Sequence, residues 1–309
     1  MVARSNRNAT PVSRGRRILL LPLLGIPLSL SFVSWYFTAP LTDTSAAVAV
    51  APAIVVAEDA KAPARQPLAW PKARLEGFAA KQLILEALLA ADEKLKSIEG
   101  YTATFHKQER LKGTLGPRQT LEMKVRQHPF AIYLKFLTPT AGKEVVYAEG
   151  HHENKVIAHG VGLSRLLVPR LALAPDHPLA LADSRHPVTD AGLSHLTSLL
   201  IFYRQLDLHQ PEAETILDRV TDERGRDWYR SIHRHRTRVK ERPFAEVYVL
   251  YDPETLIPMD IRNYDWPEPG QEGELRLAEH YSYESVDFDS GLTALDFDPA
   301  NPNYSFQRY

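Results

Sequence analysis

From Tyr101 onward the chain alternates apolar and polar residues with a period of two, and that pattern limits its fold more than any other feature. Tyr101, Ala103 and Phe105 alternate with Thr102, Thr104 and His106. Leu121, Met123 and Val125 alternate with Glu122, Lys124 and Arg126, and Phe130, Ile132, Leu134 and Phe136 with Ala131, Tyr133 and Lys135. Successive side chains of a strand leave opposite faces, so such runs specify strands with one apolar and one polar face. Turn residues separate them: Gly113, Gly116-Pro117, His128-Pro129, then Pro139 to Gly142. A further hairpin is predicted over 145–149 and 155–159, turning about Gly150 to Asn154. After a stretch rich in Pro and Gly (160–187), expected to be loops with at most one helical turn, strands resume over 215–221, 227–236, 244–251, 257–264 and 274–287.

Two helices interrupt the strands. Ile84, Leu88, Ala91, Leu95 and Ile98 repeat at 4-3-4-3 spacing, which predicts a helix over 76–99 ended by Gly100. Thr189 or Asp190 is expected to cap a second over 190–206, with Leu193, Leu196, Leu199, Leu200, Tyr203 and Leu206 as its apolar positions. A sheet of so many strands must curl, and two helices can cover its apolar face. The predicted fold is α+β: a single strongly curved antiparallel sheet, an incomplete barrel covered by two helices, spanning 76–290, with an irregular tail over 291–309.

The N-terminus carries Arg4, Arg7, Arg14, Arg16 and Arg17, followed by an uncharged apolar run over 18–37. A basic flank before such a run engages the export machinery, so 1–37 reads as a signal peptide or an N-terminal transmembrane anchor. Residues 38–75, rich in Ala and Pro, read as a disordered linker. The working part is therefore expected outside the cytoplasm, in the periplasm or cell envelope. The absence of cysteine excludes lipoprotein acylation, disulfides and thiolate metal sites. A net charge of −1 gives no reason to expect nucleic acid as a partner.

Two motifs carry a family resemblance. One is Phe105-His106-Lys107-Gln108-Glu109-Arg110, continued by Pro129-Phe130, Tyr133, Gly142, Glu144-Val145 and Glu149-Gly150; the other is Arg185-His186-Pro187-Val188-Thr189 with Gly192. Together they resemble domain-of-unknown-function family 1571, exported bacterial proteins, over roughly 76–288. At a further remove the architecture resembles the LolA/LolB lipoprotein-carrier fold, which implies an incomplete barrel with helices plugging its mouth. A fold does not fix a function.

Catalytic motifs fail on inspection, and no catalytic residue or cofactor is predicted. His152-Glu153 lacks the second histidine of a zinc-protease motif, since Val156 stands there. Gly162-Leu163-Ser164-Arg165 closes on Leu166 where a nucleophile elbow needs glycine, and Gly160-Val161-Gly162 lacks the third glycine of a dinucleotide loop. His233 and His235 share a strand face, but Arg234, Arg236 and Arg238 point to a solvated basic face and no metal site.

The candidate ligand site is the apolar face itself: Phe105, Leu121, Met123, Val125, Ile132, Leu134, Phe136, Val145, Tyr147, Val247, Val249 and Met259, with Ile257. Lys107, Glu109, Arg110, Arg185 and His186 are a candidate polar rim reading a headgroup; the alternative is that they pair across strands where the sheet meets solvent. The leading expectation is a non-enzymatic extracytoplasmic protein holding a lipid or other amphiphile. The alternatives are a closed-core envelope module with a protein partner, and a metal-dependent hydrolase built on His233, His235 or the Lys107 cluster.

Overall fold

The structure, a computed structural model, describes residues 68–160, 170–238, 241–268 and 273–307. The segment 1–37, the linker up to residue 67 and the motif remnants over 161–166 lie outside the described residues. Among the described residues no helix is long and apolar enough to cross a membrane.

The elements in chain order are β1 (Leu75–Glu76), α1 (Gly77–Lys96), β2 (Gly100–Leu111), β3 (Thr114–Leu115), β4 (Gln119–Arg126), β5 (Ala131–Thr138), β6 (Glu144–Ala148), β7 (Val156–His159), β8 (Leu171–Leu173), α2 (Leu193–Asp207), β9 (Ala213–Thr221), β10 (Asp227–His235), β11 (Glu246–Tyr251), β12 (Pro258–Asp265) and β13 (Arg276–Asp287). All strand pairs are antiparallel, in the order β1-β9-β10-β11-β12-β13-β2-β4-β5-β6-β7-β8, with β3 folded onto β2. The path is open, from β1 at one edge to β8 at the other. The predicted class therefore holds: one unclosed antiparallel sheet with two helices.

Curvature follows from what must be covered. Twelve strands at about 4.8 Å spacing would span roughly 50 Å if flat, and two helices each about 10 Å across could not cover that width. Yet one continuous apolar cluster joins α1 and α2 to β4, β5, β6 and β7 on one wing and to β9, β11 and β12 on the other. The sheet is bent around the helices. Register breaks at Thr120/Leu121, Leu250/Tyr251, Asn263/Tyr264 and Glu284/Asp287 are the local devices that let strands bend. The two wings meet at the β2–β13 pair, where Phe105 lies opposite Tyr283 and Glu109 opposite Glu279.

Three details differ from the sequence reading. Gly100 does not end the first helix; α1 ends at Lys96, and Gly100 opens β2, where a Cβ would lie 2.6 Å from the Val125 carbonyl oxygen. Thr189 and Asp190 sit in a 3-10 turn (Val188–Asp190), and the residue that caps α2 is Gly192 at φ 108°. Beside it the Tyr101 hydroxyl accepts the Leu193 N–H at 2.8 Å, supplying the cap that no serine or threonine provides. Finally, the stretch read as loops contains β8.

The polar face predicted for β5 is also not polar. Ala131 and Tyr133 are buried with Val146, Ala148 and Ile157 under Phe297, Tyr304 and Phe306 of the C-terminal tail. The rings of Tyr133 and Tyr304 stack at 4.0 Å. The tail, built on two 3-10 turns, thus seals the outer face of one wing, while α1 and α2 fill the inner face.

Candidate functional site

The predicted apolar face exists and is largely filled. Phe105, Leu121, Met123, Val125, Ile132, Leu134, Phe136, Tyr147, Val249, Ile257 and Met259 are buried in the main core, and Val145 and Val247 pack against it partly buried. The filling is done by Ile84, Leu88 and Leu95 of α1 and by Leu193, Leu196 and Leu200 of α2. Beneath the C-terminal half of α2 a cavity of about 40 Å³ remains. Leu199, Leu200, Phe244, Val247 and Ile261 line it, so Val247 alone of the predicted ligand residues reaches it.

The fold brings the two sequence motifs together. Glu109 on β2 and Glu279 on β13 face each other across the strand pair, and both carboxylates are buried. Two like charges held away from solvent require compensation. Lys107 Nζ lies 3.1 Å from Glu109 Oε2, and the Tyr281 hydroxyl donates to Glu109 Oε1 at 2.6 Å. Arg185 Nε lies 2.8 Å from Glu279 Oε2, His186 Nε2 donates to the same oxygen at 2.9 Å, and Asn263 Nδ2 donates to Oε1 at 2.8 Å. Arg110 takes part only through its backbone: its carbonyl accepts from Arg185 Nη1, while its own guanidinium is tied to the Leu277 and Gly113 carbonyls. Burial pushes the Glu279 carboxyl up, but the His186 hydrogen bond and the charges of His186 and Arg185 more than reverse it, and the net shift is down. Burial likewise pulls His186 down, and its bond to Glu279 reverses that, so the imidazole keeps its proton to a higher pH than usual. Burial first, then the nearby Glu279 and Glu109 charges, raise the Tyr281 phenol.

A second charged cluster closes the other end of α2. Asp207 meets Arg242 through Nε at 2.8 Å and Nη2 at 2.6 Å, Arg204 Nη2 at 3.2 Å and His235 Nε2 at 3.6 Å. All four side chains are buried, as is Lys81 of α1, which donates to the Gln210 carbonyl. Arg204 Nε and Nη1 and His235 Nδ1 have no hydrogen-bond partner among the described residues, and Arg204, His235 and Arg242 line the cavity. Asn263 links the two clusters, since it holds Glu279 and lines that same cavity.

His233 and His235 do leave one face of β10, but that face is the buried one. His233 is held between the hydroxyls of Thr215 and Ser231, each at 3.1 Å, and burial drives its pKa well below the ordinary value. The basic residues that suggested a solvated face, Arg234 and Arg236, point outward and pair with Glu246 and Glu214. Among the described residues no group of three or more metal-ligating side chains converges.

The residues that sequence reasoning missed are Glu279, Tyr281, Asn263, Arg204, Asp207 and Arg242. The signal for most of them is a polar residue in the apolar phase. Glu279 shares the parity of Tyr281 and Tyr283, and Arg204 and Asp207 continue the buried stripe of Leu193, Leu196 and Leu200.

Residues 98–306, well over half of the chain, match the family described as "Protein of unknown function (DUF1571)". The chain belongs to DUF1571. No curated protein matches it. Solved structures similar to it include a DUF1329 family protein from Desulfovibrio piger (10% identity, 71% of this chain and 97% of that one, TM-score 0.35). A putative outer membrane lipoprotein-sorting protein domain from Vibrio parahaemolyticus is similar too (12% identity, 70% and 97%, TM-score 0.33). So is a LolA superfamily protein from Nitrosomonas europaea (10% identity, 71% and 97%, TM-score 0.27). These are distant likenesses of strand and helix arrangement.

Proposed function

We propose that this DUF1571 protein is a non-enzymatic protein of the cell envelope that binds the apolar chain of a lipid or other amphiphile between α2 and the inner face of the sheet. The observation that carries the reading is the cavity beneath α2, next to an apolar stripe that α2 leaves in solvent. Leu199, Phe202 and Leu206 are 41%, 53% and 37% exposed, at spacings that put them on one side of the helix. A helix apolar on both its core and its outer side suits a lid that exchanges one apolar partner for another.

Magnitudes support that exchange. Lifting α2 exposes Leu193, Leu196 and Leu200, at about 1.5–3 kcal/mol each. An acyl chain contributes about 0.8 kcal/mol per buried CH₂, so roughly a dozen methylenes offset that loss before association costs. In this reading the rim residues Arg185 and His186, both engaged by Glu279, fasten their turn to the sheet beside the site. Mass spectrometry of a denatured extract of the full chain is the test, followed by titration with a medium-chain amphiphile. Co-purified lipid or saturable binding is expected; a ligand-free protein with no affinity sinks the reading.

The filled inner face favours a second reading, an envelope module that binds a protein partner with its core closed. A stoichiometric protein that co-purifies with ligand-free chain would establish it.

A further inference from the structure

We infer that the cavity beneath α2 is an oxyanion site, in which Arg204, backed by Arg242, takes a carboxylate- or phosphate-class group. The inference rests on the amphiphile reading only for where the ligand enters; its charge is argued independently.

Arg204 is 3% exposed, yet two of its guanidinium nitrogens find no acceptor among the described residues, and its side chain lines the cavity. A buried guanidinium in that condition is costly, because its lost hydration is not replaced. Its one carboxylate, Asp207, gives Oδ1 to both Nε and Nη2 of Arg242 and meets Arg204 only through Oδ2, at 3.2 Å from Nη2. Lys81 adds a third buried cation, and its ammonium donates to a backbone carbonyl. One buried acid thus faces three buried bases. Burial lowers both Arg204 and Lys81, the sign of cations with too little compensation. A negative group entering the cavity would supply the missing charge and, once the Arg204 guanidinium turns toward it, acceptors for the buried unpaired N–H groups.

The shape of the site sets the ligand's orientation. Arg204, His235 and Arg242 are the buried charged members of the lining, whereas Leu199 is exposed and Pro243, Phe244 and Val247 are partly exposed, so a ligand enters past the latter. About 40 Å³ admits a small headgroup and excludes an acyl chain while α2 is in place. The anionic end therefore enters first, and any tail follows past Leu199 beneath α2 as the helix lifts.

The test is calorimetric titration of the full chain with decanoate, decyl maltoside, acetate and inorganic phosphate, on wild type, Arg204→Met and Leu199→Glu. Arg204→Met keeps side-chain bulk and leaves Asp207 on Arg242; Leu199→Glu puts a like charge at an exposed mouth position. Decanoate is expected to bind at least tenfold tighter than the maltoside, and each substitution is expected to remove at least tenfold of that affinity. Phosphate or acetate binding that depends on Arg204, with no amphiphile bound, upholds the oxyanion site and overturns the amphiphile reading. Equal affinity for decanoate and maltoside, unchanged by either substitution, overturns the oxyanion site and leaves the amphiphile reading standing. No binding of any of the four overturns it as well. If Arg204→Met unfolds, Leu199→Glu decides: selective loss of decanoate affinity upholds the site, and equal loss of both overturns it.

Discussion

The two buried charge clusters are built from the same residue types and come out oppositely. At the β2–β13 pair, two carboxylates meet Lys107, Arg185 and a histidine whose proton is stabilised, and Tyr281 and Asn263 occupy the remaining oxygens. Beneath α2, a single carboxylate serves Arg204 and Arg242, with Lys81 nearby, and guanidinium N–H groups are left over. The first cluster leaves Arg185 Nε and Asn263 Oδ1 without a hydrogen bond among the described residues, but it sets two acids against its bases and pins the Arg185-His186 turn to the sheet. The second is incomplete, and incompleteness in a buried network is expensive unless something else completes it. The contrast separates a fastening from a binding site, although both involve buried arginines next to acids.

Removing the acid from each cluster breaks the comparison most sharply. Asp207→Asn is expected to cost about 3–5 kcal/mol, because Arg204 and Arg242 have no other acid among the described residues that pairs with them and no solvent to turn to. Denaturant unfolding measures it, and added phosphate is expected to recover part of the loss by binding the folded state. Glu279→Gln is expected to cost less, about 1–3 kcal/mol, since Arg185 and His186 are partly exposed and can rehydrate. Equal losses in the two variants would erase the distinction between fastening and binding site.

A smaller effect tests the first cluster by pH. His186 is raised, so its contribution is full below its ordinary pKa of 6.5 and is lost as pH rises through the raised value. Glu279 is lowered, so its contribution is present above 4.5 and is lost as pH falls through the depressed value. The stability difference between wild type and His186→Gln should therefore peak between those two limits and shrink on either side. A difference constant from pH 4 to pH 9 would show that the pair carries no charge linkage. Smallest of all, Arg224→Ala removes an ion pair with Glu284 on an exposed side chain and should leave the denaturant midpoint unchanged.

Parts of both clusters are legible in the sequence. Lys107 and Glu109 stand out as charges at the end of the Tyr101–Ala103–Phe105 stripe, and the Arg185-His186 turn stands out as a motif. Their meeting does not, because residues 76 positions apart are joined only when the chain folds back over the sheet, as the Arg185 N–H to Glu109 contact records. Gly192 belongs to a motif, but its place at the cap is invisible locally, since the partner hydroxyl belongs to Tyr101, far back on β2. The burial of Tyr133 escapes the alternation rule because the tail that covers it lies more than 160 residues later; Tyr304 is the residue it stacks on.

Local periodicity by itself determined the long strands, the two helices, the inner apolar face and the antiparallel class of this DUF1571 protein, because those depend on which side of a backbone each residue leaves; the short β1, β3 and β8 carry too few residues to show a period. Tertiary structure alone decided that the inner face is filled, that the outer face of one wing is sealed, and that Asp207 is shared between two arginines. Those outcomes depend on volume and charge summed over segments distant in sequence, and neither sum has a local period to read.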